Sequence, residues 1–156
     1  MTPEETPKQR YDRELIELLN EVRVGLPGVQ VLFAFLLAVP FSSGFDKMTR
    51  LERDSYYVAL IATTIASAFM IATPSFHRLR WRHESKEHIV KLGNVLTILG
   101  FFFLAVAMVA AVLTVTSFLF GAGAGVAAAV GVGILFLVLW YGLALGAWLR
   151  GPRHPG

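Results

Sequence analysis

The stretch HESKEH places His83 and His88 five residues apart, with Glu84 between them. A zinc-binding helix needs its two histidines at i and i+4, on one face. At i and i+5 they point to different faces, so no metal site is expected. The other groups capable of acid–base work are His77, Glu17, Glu21, Asp46 and Asp54. Their spacing assembles neither a nucleophile with its base nor a pair of carboxylates. Cysteine is absent, which removes disulfides, thiolate metal sites and a cysteine nucleophile. No Gly-rich phosphate loop occurs. The expectation is a protein without enzymatic activity, cofactor or metal.

The elements that hold these groups are apolar to an unusual degree. The 156 residues are 55% hydrophobic and 16% charged, against ~25% charged in a typical soluble domain. Val24 to Phe45, Ser55 to His77 and Leu92 to Leu149 contain no Asp, Glu, Lys or Arg. A helix needs about 20 apolar residues to cross the hydrocarbon. The third stretch suffices for two crossings, turning at GAGAG, Gly121 to Gly125. Spans are expected near residues 24–43, 56–76, 95–118 and 126–149. The first lacks the small-residue cleavage signature of a signal peptide and is read as retained. The fold class is therefore all-α: an integral membrane bundle of four transmembrane helices with a short N-terminal amphipathic cytoplasmic helix. Residues 1–10 read as a disordered tail, 11–150 as the single transmembrane domain and 151–156 as a C-terminal tail.

Charge placement sets an orientation. Lys8, Arg10, Arg13 and Arg23 precede the first span. Arg78, Arg80, Arg82, Lys86 and Lys91 follow the second, and Arg150 and Arg153 follow the fourth. Only Lys47, Arg50 and Arg53 lie on the other side. The positive-inside rule puts both termini in the cytoplasm of a cell whose inner membrane holds the chain. Trp81 and Trp148 sit beside the basic ends as interfacial anchors. The net charge of +3 is small and the bases stand at membrane boundaries, so nucleic acid is not an expected partner.

The junction EVRVGLPGVQVLFAFLLAVPF, Glu21 to Phe41, is the most informative stretch. Upstream, Leu15, Leu18, Leu19 and Val22 form a helical stripe opposite a mainly acidic face. That face favours contact with protein over lipid. Pro27 lacks an N–H and crowds the carbonyl of Arg23. A kink or break is expected there, with Gly25 and Gly28 making the backbone adaptable. Gln30 lies one turn deeper and is expected to hydrogen-bond another helix, worth ~0.6–2 kcal/mol; the alternative is a pore-lining amide. Glu17 or Glu21 is expected to pair with Arg23 or with a second-loop arginine, because charge beside hydrocarbon is costly unless paired.

Further along, Thr49-Arg50-Leu51-Glu52 matches a capping box that starts the second helix. Thr63, Thr64 and Ser67 are expected to bond their own backbone, and Pro74 to bend or end that helix. Gly142 with Gly146, and Ala129 with Gly133, form small-xxx-small pairs suited to close helix packing. The lipid bilayer is one partner; a second copy or another membrane protein is the other.

At ELLNEVRVGLPGVQVLFAFLLAVPF, LERDSYYVALIATT and ATPSFHRLRWR the chain resembles a bacterial family of small four-span membrane proteins of unknown function. The resemblance covers about residues 14–120. It implies membrane location and topology. Members are often labelled sodium:proton antiporter, which implies ion transport as the alternative to a non-enzymatic homo-oligomer or assembly subunit. No catalytic residue set comes with the label. The most distinctive stretch makes Glu17, Asn20, Glu21, Arg23, Pro27 and Gln30 the candidate functional residues.

Overall fold

The computed structural model describes residues 6–80 and 86–142. Helix α1 spans Pro7–Ala38, α2 Arg50–Arg80, α3 Lys86–Phe120 and α4 Ala122–Leu137. Two 3-10 turns, Val39–Phe41 and Phe45–Lys47, join α1 to α2, and α4 continues into a π-turn at Val138–Gly142. There is no strand among the described residues. All four helices are long and apolar enough to cross a membrane, over Ile16–Phe41, Arg50–Ala72, Lys91–Phe120 and Ala122–Trp140.

The amphipathic segment and the first span form one helix of 32 residues, not two. It starts at Pro7, ahead of the expected Tyr11. Thr6 caps it: the Gln9 N–H donates to Thr6 Oγ1 at 3.4 Å, and the Thr6 N–H donates to Gln9 Oε1 at 2.9 Å. Pro7 fills the first helical position, where its missing N–H costs nothing. The break expected at Gly25–Pro27 does not occur, because the inward stripe outweighs the proline. Leu18, Val22, Val29 and Leu36 are buried, and Gly25 and Leu32 are half-buried between them. The spacing of four and three residues keeps its phase through Pro27. Unwinding there would rotate the downstream half of α1 away from α2 and α3. Pro27 itself lies on the exposed side.

Gly25 serves packing. A Cβ at Gly25 would stand 2.7 Å from Met70 Cε and 3.1 Å from the Phe101 ring. Gly28 faces open space.

Helix α2 starts where expected. The Thr49 N–H donates to Glu52 Oε2 at 2.8 Å, and the Glu52 N–H donates to Thr49 Oγ1 at 3.4 Å. Glu52 is only 6% exposed, so this cap also satisfies a buried carboxylate. Thr49→Ala removes one of the two bonds. It is expected to lower unfolding free energy in micelles by about 1 kcal/mol; an unchanged value would show that the box is ornamental. Pro74 does not end α2, which runs on to Arg80. Long membrane helices tolerate proline where neighbours and local adjustment absorb the freed backbone groups.

Between α3 and α4 the turn is tighter than GAGAG suggests. Gly121 alone makes it, at φ 89°, a conformation that side chains disfavour. Its N–H donates to Ser117 O at 2.8 Å, and the Gly125 N–H donates to Gly121 O at 3.1 Å. Helix α4 is therefore under way by Ala122.

Helix α3 is central: α1, α2 and α4 each pack on it, and α2 packs on it most extensively. One core cluster joins Val22, Val29, Ala66 and Met70. A second joins Leu36, Tyr56, Ala59 and Ala110 near the α1–α2 turn. There the Tyr56 hydroxyl donates to Leu36 O at 3.1 Å, satisfying a carbonyl near the end of α1. Tyr56→Phe keeps the ring and loses the bond. A drop of about 1 kcal/mol in unfolding free energy is expected, and no drop would mean that the carbonyl finds another donor.

Candidate functional site

All six candidate residues lie on α1, and the structure divides them. Glu17, Asn20 and Glu21 line one open recess of about 720 Å³, closed on its far side by Val24, Gly25 and Phe101 of α3. Arg23, Pro27 and Gln30 face outward and are exposed. The division follows from helical phase. Gly25 belongs to the inward stripe, and Glu17 and Glu21 stand two turns and one turn before it. Gln30 follows fully buried Val29 by one residue, about 100° around the helix.

Glu17 is paired, but not as expected. Arg13 Nη1 lies 3.2 Å from Glu17 Oε1, one turn back on the same helix. The side chains are 54% and 59% exposed, so the pair contributes only ~0–1 kcal/mol. Pairing of Glu17 or Glu21 with Arg23 is not found among the described ion pairs. The second-loop arginines, His77, His83 and His88 lie outside the residues whose side chains are described. So does the Glu87–Lys91 spacing, while Gly142, Gly146, Trp81 and Trp148 lie outside in the same sense. Among the described residues no three His, Cys, Asp or Glu side chains come together as metal ligands.

The hydroxyls of α2 do not meet Gln30. Thr63 is buried and donates to Ala59 O at 2.7 Å. Thr64 is exposed and donates to Leu60 O at 2.8 Å, and Ser67 donates to Thr63 O at 2.9 Å. Each bonds its own helix, as the sequence suggests. Within one chain they line no common path with Gln30. A cross-helix contact between side-chain hydroxyls lies elsewhere: Ser55 Oγ and Thr114 Oγ1 stand 2.8 Å apart, buried between α2 and α3. Nothing in their spacing, 59 residues apart, announces that meeting.

The small-residue pairs of α4 also divide. Ala129 is buried. Gly133 borders a groove of about 860 Å³ between α2, α3 and α4, walled by Val58, Phe102 and Trp140 and ending at Asp54. The tightest small-residue contact is one that sequence reasoning misses: Gly125 packs directly on Ser117. Gly125 and Ala129 form the same small-xxx-small spacing one turn earlier.

The buried set is dominated by Ala, Thr and Ser, while Phe35, Phe41 and Phe120 stand outward, Phe41 at 90% exposure. Small residues inside and large apolar ones outside is the arrangement of a helical membrane protein, whose helices associate by close packing and polar contacts rather than by burying apolar surface. The four helices define that class. Residues 4–144 match the family described as a family of unknown function, DUF6328, and the chain belongs to it. The match extends through the whole of α4, beyond the residues 14–120 that carry the resemblance. No curated protein and no solved structure matches the chain.

Proposed function

We propose that this protein is a non-enzymatic subunit of an assembly in the cell's inner membrane, acting through α1 as a homo-oligomer or beside another membrane protein. One observation carries the reading. Gln30 faces outward from an apolar stretch of α1, and its side chain makes no hydrogen bond among the described residues. In hydrocarbon an amide without a partner is costly, so a second membrane helix is the natural place for its bonds. The acidic recess at Glu17 and Glu21, more than two turns upstream, supports the same reading, as a contact outside the hydrocarbon.

Crosslinking and native mass spectrometry in mild detergent test the proposal. An oligomer or a copurifying membrane protein is expected; a strictly monomeric chain without companions overturns it. The alternative reading, sodium:proton exchange, makes a different demand. Sodium- or pH-dependent flux above empty liposomes would replace the scaffold reading with transport.

The orientation proposed is four crossings with both termini in the cytoplasm, from the concentration of Lys and Arg on one side. Reporter fusions after residues 83 and 153 are expected to read cytoplasm, and a fusion after residue 123 the outside. A cytoplasmic signal at 123 would end the four-crossing arrangement.

A further inference from the structure

Helix α1 carries two stripes of the same spacing. The inward one, through Val22, Val29 and Leu36, is covered by α2 and α3. The other runs through Pro27, Gln30, Ala34 and Leu37 and on to Phe41 in the turn just beyond α1, and every one of these residues is exposed. Steps of three and four residues make it a continuous seam along one side of α1. It is apolar apart from Gln30.

We infer that this seam packs against the same seam of a second copy of the chain, with the two Gln30 amides bonded to each other. The inference rests on the assembly reading above and names its partner. Three features select a second copy. An amide holds donors and an acceptor in one group, so an identical amide satisfies it reciprocally. Copies inserted in one orientation are related by a two-fold axis along the membrane normal, and such an axis brings each residue to its own counterpart at equal depth. A different protein would need a polar group of its own at that level. Ala34, one turn beyond Gln30 on the same side, is small enough for two backbones to approach. A single polar position in an apolar seam also fixes register, because any slip leaves both amides unpaired.

The chain has no cysteine, so single-cysteine variants of the full protein report one position at a time. Ala34→Cys and Leu37→Cys place a thiol on the seam. Val58→Cys and Val130→Cys place one on exposed positions of α2 and α4. After mild oxidation in native membranes, disulfide-linked dimer at the seam positions is expected at about fivefold or more over the two controls. Adding Gln30→Leu to Ala34→Cys should reduce that yield about threefold to tenfold, the range for one or two interhelical bonds in a membrane. Gln30 touches nothing in the core, so the variant keeps its fold, and Gln30→Asn should recover part of the yield. Equal yields at all four positions would mean random collision and overturn the inference. A peak at Val130→Cys would overturn it while leaving the assembly reading intact, through α4. A seam cysteine trapped on a different protein would replace the second copy by that protein. A monomer at every position, with no companion in mass spectrometry, would remove both readings.

Discussion

Gly125→Val is expected to destabilise the packing of α4 on α3 by about 2–3 kcal/mol, the upper range for inserting methyl groups into a well-packed site. A Cβ at Gly125 would overlap Ser117 Oγ, and it would stand 2.9 Å from both the Cβ and the backbone N of Ser117. The hydroxyl can rotate away. The backbone nitrogen cannot, because Ser117 O holds the Gly121 N–H at 2.8 Å and Gly121 O holds the Gly125 N–H at 3.1 Å. Those bonds set Gly125 over Ser117, so the added group can be relieved only by moving α4 off α3. Gly131→Val is the matched control: a Cβ there meets nothing within 4 Å on the same helix. Its effect should be at most a few tenths of a kcal/mol, on the stabilising side, since valine is the better helix former. Unfolding of each variant in micelles reads the difference. Equal stability of the two variants would show that the contact yields freely. Ser117→Gly in the Gly125→Val background should restore only part of the loss, because the backbone nitrogen remains in place.

The contact also explains a feature of the membrane core. Ser117 Oγ is buried and without a hydrogen-bond partner, as is Thr97 Oγ1. A hydroxyl left unpaired in a tight place is there for its size as much as for its polarity. Serine is nearly as small as alanine and lets Gly125 approach. In a membrane, where lipid tails compete equally for apolar side chains, such close approach is what binds α4 to α3.

What the sequence discloses follows from which signals are local. The Thr49–Glu52 cap needs four consecutive residues and stands as read. The three apolar stretches need only composition, and with the glycine turn dividing the third they appear as four helices. The cap at Thr6–Gln9 is equally local, but its prolines disguise it as a tail, although Pro7 is a helix starter at that position. The candidate site is half legible. The α1 residues stand out by their concentration in one stretch, and Glu17, Asn20 and Glu21 do share a recess. The outward direction of Gln30 is contained in the helical phase, because it follows Val29 in a stripe that begins at Leu18. Extracting it requires carrying that stripe past Val22 and through Pro27, where a proline argues for an interruption. The Ser55–Thr114 and Ser117–Gly125 contacts depend on how two helices are set against each other, and no periodicity within one helix contains that information.

Pro27→Ala is expected to stabilise α1 by about 1–3 kcal/mol without changing its course. The gain has two sources: an N–H returns to position 27 to meet the Arg23 carbonyl, and the ring no longer crowds that carbonyl. Together they account for ~3 kcal/mol in a soluble helix interior, and less in a membrane helix that already accommodates its freed groups. The unchanged course follows from the stripe. Val22 and Val29 lie on opposite sides of Pro27, yet both belong to one core cluster with Met70 and Ala66. A hinge opening at Pro27 would pull one of them out. Spin labels at Ile16→Cys and Phe35→Cys, both on exposed positions, span 19 residues, or about 28 Å of helix at 1.5 Å per residue. The distance distribution should be narrow, and the same whether position 27 carries the native proline or alanine. A distribution several ångströms longer in the variant would mean that the proline bends α1 after all. Val22 and Val29 would then have to exchange neighbours when the bend is removed, and the stability gain would be lost with their packing. Greater stability at an unchanged distance would place the proline's role on the outer face of α1, where the ring stands beside Gln30 along the exposed seam.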